Sequence, residues 1–467
     1  MIILMTSYTF LCFSIFGYQD PDKKKSLLRQ QNVLMFMIHI IAYLVMYLEK
    51  EDIKLLAFYL MQVVLFGATI LLYTNIYPRV SRLVVNNMCM LLCIGMIMLT
   101  RLSYSNAVKQ FVIAAGGVAI SLVVPVVIRK VKKLSEWRKV YAIIGIVSLA
   151  LVIVIGSVSY GAKLGFQVAG INVQPSELVK IVFVFFVASS FKQSMAFKDI
   201  VVTTALAAFH VLILVASKDL GAALIIFVVY LVMLYVATRQ PLYVLAGLGA
   251  GSVASVGAYY LFNHVRSRVV AWKDPIASYS GSGYQVAQSL FAIGTGSWFG
   301  MGLFQGQPDT IPVASSDFIF SAICEEMGLI FGLCMTLVCV SCYVMFYKLV
   351  ALGLGTCYIF QVFLNIGGVT KFIPSTGVTL PLVSYGGSSI LSTLIMFAII
   401  QGLYILREDE EENLERKKKE RLRAERGRGE VKKRARKTAD VPQRAKRSRP
   451  AGQAPRKEKA RPQQRVR

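Results

Sequence analysis

Three stretches of this chain combine residue types that apolar packing alone does not explain. The first is Gln174-Pro175-Ser176-Glu177-Leu178-Val179-Lys180. Glu177 and Lys180 are three apart, so on a helix they share a face and can pair. Pro175 and Ser176 suit the first turn that would present them. Ionisable groups inside a membrane span are costly, and they face a cavity or one another. Two roles stay open: a structural pair that fixes helix register, or a lysine that meets an anionic substrate group while Glu177 orients it. The second stretch, 280–302, holds Gln285 and Gln288 among closely spaced glycines. Glycine lets backbone N–H groups approach an anion, but it serves helix packing in membranes equally well. This stretch leads to Ser315-Ser316-Asp317, where an apolar run begins that also holds Glu325 and Glu326. Asp317 can cap that helix, or act as a carboxylate base in a partly desolvated site, where its pKa rises. The third stretch, Asn365 to Ser389, gathers two prolines, several glycines and many hydroxyls around Ser384 and Tyr385. It cannot form a regular span, and irregular backbone at membrane depth is tolerated only against protein or a watery cavity.

The scaffold that positions these groups is read from composition. Of 467 residues, 56% are hydrophobic and 16% charged, with a mean hydropathy of +0.60. Soluble domains keep roughly 45–50% apolar and about 25% charged residues, so the chain reads as an all-α polytopic integral membrane protein. A span needs about 20 apolar residues. Thirteen are predicted, near 2–17, 31–48, 54–73, 84–100, 107–128, 140–157, 175–191, 200–216, 219–237, 241–262, 317–347, 352–372 and 385–406. The apolar N-terminus lacks a positive leading segment and a small-residue cleavage site, so it reads as an uncleaved first span.

Short basic loops belong in the cytoplasm. The cluster Arg129, Lys130, Lys132, Lys133, Arg138 and Lys139 anchors that side. Alternation then places Lys23–Lys25, Lys192 with Lys198, and the C-terminus inside, and the N-terminus and the large loop 263–316 outside. Residues 407–467 carry half of the +26 net charge. Their composition predicts a charged helix over 408–430, then a disordered cytoplasmic tail near anionic lipid; nothing points to nucleic acid. All eight cysteines sit in or beside apolar runs without zinc-like spacing, so neither a disulfide framework nor a metal site is expected.

Together these residues resemble the SEDS family (shape, elongation, division and sporulation). The matching stretches are Gln174–Lys180, Asp219-Leu220-Gly221-Ala222-Ala223-Leu224, Gly283–Gly302, Asp317–Gly328 and Asn365–Ser389, in family order across about 140–406. The family's ten spans would be the last ten here. The expected organisation is therefore three extra N-terminal helices over 1–83, a SEDS-like domain over 84–406, and the basic tail over 407–467. Departures are Ser315-Ser316 where the family has His-Thr, Lys218-Asp219 for the commoner Pro-Asp, and Gly161-Ala162-Lys163-Leu164-Gly165-Phe166 without the family's tryptophan.

The resemblance implies a peptidoglycan glycosyltransferase that polymerises lipid II at the outer face of the cytoplasmic membrane. It implies Asp317 as the base, and substrate contacts from Gln174, Ser176, Glu177, Lys180, Gln285, Gln288, Ser384 and Tyr385. It also implies a class B penicillin-binding protein and other division or elongation proteins as partners. A divalent cation (Mg or Mn) on the diphosphate fits the family, but no ligand cluster in the sequence shows one. A lipid II flippase and an inactive division scaffold are the alternatives; the crowding of Asp317 and the large loop onto one side favours the polymerase.

Overall fold

A computed structural model describes residues 1–159, 162–168, 171–343 and 348–439. Its helices are α1 (Ile2–Gly17), α2 (Pro21–Lys50), α3 (Ile53–Ile76), α4 (Arg82–Leu102), α5 (Tyr104–Lys130), α6 (Arg138–Ile155), α7 (Pro175–Gln193), α8 (Phe197–Ala216), α9 (Leu220–Thr238), α10 (Pro241–Leu261), α11 (Asn263–Lys273), α12 (Tyr284–Gly296), α13 (Ile319–Met327), α14 (Leu329–Tyr343), α15 (Leu349–Val369) and α16 (Gly387–Ala439). Between α6 and α7 lie three short antiparallel strands, β1 (Ser157–Ser159), β2 (Ala162–Val168) and β3 (Ile171–Val173). Gly161, in the stretch lacking the tryptophan, lies outside the described residues, as does the end of the tail expected to be disordered.

The protein is an all-α polytopic membrane protein. Ten described helices are long and apolar enough to cross a membrane. The other expected spans fall on α1, which has 16 residues, on α7, which carries Glu177, Lys180 and Lys192, and on α13 with α14. Helices also outrun their apolar stretches. α2 begins ten residues before its predicted span, because Asp20 accepts the Asp22 N–H and Pro21 opens the first turn. The intervening Lys23–Arg29 segment stays helical beyond the apolar part.

Residues 1–408 form one compact unit and 409–467 another. In the first, α4 is buried on every side across its apolar window. α2, α3, α5 and α14 surround it. The three N-terminal helices dock through buried hydrogen bonds, which hold helices together where lipid gives no hydrophobic drive. The Tyr8 hydroxyl donates to Asn87 Oδ1 at 3.0 Å, Asn86 Nδ2 donates to the Leu28 carbonyl at 3.1 Å, and the Tyr43 and Thr100 hydroxyls are 2.8 Å apart. The second unit is the charged part of α16; described as far as Ala439, it runs past the expected 430.

The predicted span 317–347 is a correction. The helix breaks at Gly328, whose φ of +93° suits glycine. Carbonyls of Glu325 and Glu326 freed near the break accept the N–H groups of Met301 (2.9 Å) and Gly302 (2.8 Å), and the N–H of Leu329 reaches the Ser297 carbonyl at 2.9 Å. Backbone meets backbone so closely that a Cβ at Gly300 would lie 2.5 Å from the Glu326 carbonyl oxygen. Gly300 and Gly302 thus serve close packing, which satisfies the broken helix.

Candidate functional site

Asp317 stands two residues before α13, in a turn pinned from behind by the irregular 374–386 segment. The Ser384 hydroxyl donates to the Ser316 carbonyl and accepts the Leu380 N–H. The Tyr385 N–H donates to the Ser315 carbonyl at 2.7 Å. Asn365 Nδ2, from α15, donates to the carbonyls of both Asp317 (2.8 Å) and Val378 (2.7 Å). The prolines and glycines there leave carbonyls and N–H groups without a ladder, and the Ser384 and Asn365 side chains supply most of their partners. Ser384 is 1% exposed. With Tyr385 it positions the aspartate's backbone and does not line the cavity before it.

That cavity, about 120 Å³, is lined by Asp317, Arg268, Ser267, Ser282, Gln285 and Gly377 among others. Its volume is that of a few waters, and it is open on one side. α11 brings Arg268 to it, and Arg268 Nη1 donates to the Ser375 carbonyl at 2.9 Å. Gly377, at φ +71°, lets the two charged groups converge: a Cβ there would lie 3.3 Å from Arg268 Nη2 and 3.4 Å from Asp317 Oδ2. Burial pushes the Asp317 carboxyl above the ordinary carboxylate range, and the Ser316 side chain and Arg268 only partly oppose this. Burial likewise lowers Arg268, against the pull of Asp317 and Asp219. Asp317 does not cap α13 through its side chain, so its carboxylate is left to the cavity.

The remaining expected contacts separate. Gln285, in the first turn of α12, lines the cavity, whereas Gln288 donates to the Tyr279 hydroxyl at 2.7 Å. Gln174 and Ser176 turn to another carboxylate, donating to Asp219 Oδ2 at 3.1 and 2.8 Å, while Asp219 Oδ1 caps α9 at the Ala222 N–H. Lys180, expected in reach of substrate, lies within the bundle at 1% exposure. Its Nζ donates to Glu177 at 2.9 Å and to Gln361 Oε1 at 2.6 Å. The Ser392 hydroxyl satisfies the other Glu177 oxygen at 2.9 Å. The pair shares a face of α7 as its spacing required, but that face points into the protein.

Sequence reasoning missed Arg268, the cation that does meet the cavity. One signal was available: a basic residue in a loop on the side where basic residues are sparse. Gln361 carried no such signal. Among the described residues no three His, Cys, Asp or Glu side chains converge to hold a metal. One carboxylate facing a guanidinium does not fit a resident divalent ion.

The comparisons agree with this architecture. A family model described as a cell cycle protein, covering FtsW, RodA and SpoVE, matches residues 81–408. A relative named peptidoglycan glycosyltransferase RodA, from Mycobacterium tuberculosis, is 33% identical over 377 residues, covering 72% of this chain and 80% of that protein. Stage V sporulation protein E of Bacillus subtilis is 33% identical over 291 residues, covering 56% and 77%. A solved peptidoglycan synthase complex contains a chain with the same fold, at TM-score 0.58 and 22% identity, covering 69% of this chain and 96% of that one. The family match begins at the loop before α4 and spans every residue that lines the cavity, and on this ground the chain belongs to the FtsW, RodA and SpoVE family of cell cycle proteins.

Proposed function

We infer that this chain is a peptidoglycan glycosyltransferase that polymerises lipid II, with Asp317 as its general base. The observation that carries the reading is a half-buried carboxylate of raised pKa, opening on a cavity beside Arg268 in a chain whose relatives are named for this activity. In the reaction the 4-hydroxyl of one sugar attacks the anomeric carbon of the next. The C–O bond to the lipid diphosphate breaks, and the electron pair leaves with the diphosphate. The proton of the attacking hydroxyl passes to Asp317. A base works best when its pKa approaches the working pH, and the partial burial of Asp317 moves it in that direction. Arg268 keeps a positive charge beside the carboxylate without consuming it.

The charge rule supports a cavity that opens on the outer face of the cytoplasmic membrane and a cytoplasmic tail. The family's working partner, a class B penicillin-binding protein, is expected to use this outer face too, and the neighbour described as coordinating polymerization and crosslinking supports a partnership of that kind.

The test is polymerisation of purified lipid II in detergent, with and without that partner. Asp317→Asn keeps the shape but cannot accept a proton at neutral pH, so the rate should fall about 10²–10⁴-fold at unchanged expression. A raised folded pKa means that the charged carboxylate costs stability at neutral pH, so the variant's Tm should equal or exceed that of the wild type. An active Asp317→Asn protein overturns the assignment of the base.

A further inference from the structure

A groove of about 620 Å³ opens between α1 and α2, in the helices that precede the family match. Its volume lies within the range of ligand-binding pockets, about 300–1,000 Å³. Phe10 of α1 and Val33 and Leu34 of α2 form its walls, and Phe10 and Val33 are 71% and 54% exposed. Thr6 and Ser7 also line it, but their hydroxyls are spent on the carbonyls of Ile2 (3.0 Å) and Ile3 (2.8 Å). Arg29 is the groove's one charged residue, and among the described residues no hydrogen bond or ion pair engages it.

Arg29 stands two residues before the apolar stretch that starts at 31, which puts it at the water edge of the span. Lys25 lies one turn earlier on the same face of α2. The segment 20–30 carries four basic residues, Lys23, Lys24, Lys25 and Arg29, against Asp20 and Asp22. An apolar trough that ends in a free guanidinium at the membrane edge has the polarity of one molecule class: an acyl chain joined to an anionic phosphate. Basic pockets between membrane helices on the cytoplasmic side hold such head groups, and the chain contributes through each buried methylene.

We propose that the groove between α1 and α2 is a binding site for an anionic phospholipid of the cytoplasmic leaflet, with its phosphate on Arg29 and Lys25 and an acyl chain along Phe10, Val33 and Leu34. The site is independent of the catalytic cavity and gives the extra N-terminal helices a ligand of their own.

The test uses the full chain in nanodiscs that mix phosphatidylglycerol with phosphatidylcholine, followed by native mass spectrometry of the released protein. Phosphatidylglycerol should be retained over phosphatidylcholine. Arg29→Gln should weaken that retention about five-fold, the worth of one basic residue near a membrane surface. Val33→Trp, at a largely exposed position, should fill the trough and lower retention with every charge in place. Lys198→Gln, an exposed base on the same side of the protein, should retain lipid as the wild type does. Unchanged retention in Arg29→Gln, or equal loss in Lys198→Gln, overturns the site in favour of general surface attraction. If Val33→Trp leaves lipid retention unchanged but disrupts association with another membrane protein, the groove holds a partner helix and the proposal is wrong.

Discussion

Two of the carboxylate–cation pairs within the family domain differ in what surrounds them. Glu177 and Lys180 are neighbours on one helix, close at 2.9 Å, and buried with Gln361 and Ser392 completing their hydrogen bonds. Asp317 and Arg268 come from segments far apart in the chain, are only partly buried, and meet across a glycine at the mouth of a cavity. A satisfied pair has nothing left to offer a substrate. An incompletely satisfied one, held by backbone contacts and open on one side, keeps a lone pair for a proton. The spacing left the first pair open between a structural and a substrate-contacting role, and its degree of satisfaction favours the structural one.

The largest effect on folding is expected at the buried pair. Lys180→Met strands Glu177 and should cost about 3–5 kcal/mol, seen as loss of folded protein by detergent melting. Glu177→Gln with Lys180→Met removes both charges, and Ser392 and Gln361 can still bond to the amide. Folding and polymerisation should both recover. A well-folded but inactive double variant would return Lys180 to the substrate.

At the open pair the expected effect is smaller. Arg268→Gln should slow polymerisation by up to about 10²-fold through misplacement of the base. Arg268 also lowers the Asp317 pKa, so its loss should move the acid limb of the pH–rate profile further up. Activity requires the carboxylate, is present above its folded pKa, and is lost as pH falls through it. The wild-type limb should therefore lie above the ordinary aspartate value of about 3.9, and the variant's limb higher still. An unmoved limb would mean that Arg268 and Asp317 do not interact in the working enzyme.

The smallest effect is expected far from both pairs. Deleting 413–467 removes a segment exposed wherever its side chains are described, held by surface pairs such as Arg416–Glu420 at 3.2 Å, which contribute little. Polymerisation should stay within a few-fold. A complete loss in a folded protein would tie the tail to catalysis.

The sequence by itself determined that this is a helical membrane protein, where most helices lie, and which family it joins. Membrane crossing imposes long apolar runs, and the helix period puts Glu177 and Lys180 on one face whatever surrounds them. The motif around Asp317 was legible for the same local reason. Which way each face points depends on packing between helices. It turned Lys180 inward, gave Gln174 and Ser176 to Asp219, and committed the Ser384 hydroxyl and the Tyr385 N–H to the backbone before Asp317. It broke 317–347 at Gly328, where 297–302 supplies partners for the freed backbone groups. It also brought Arg268 to Asp317 from 49 positions away. Hydropathy and spacing report what a residue needs, but the partner that meets the need is chosen by packing between helices, and nothing local in the chain encodes that choice.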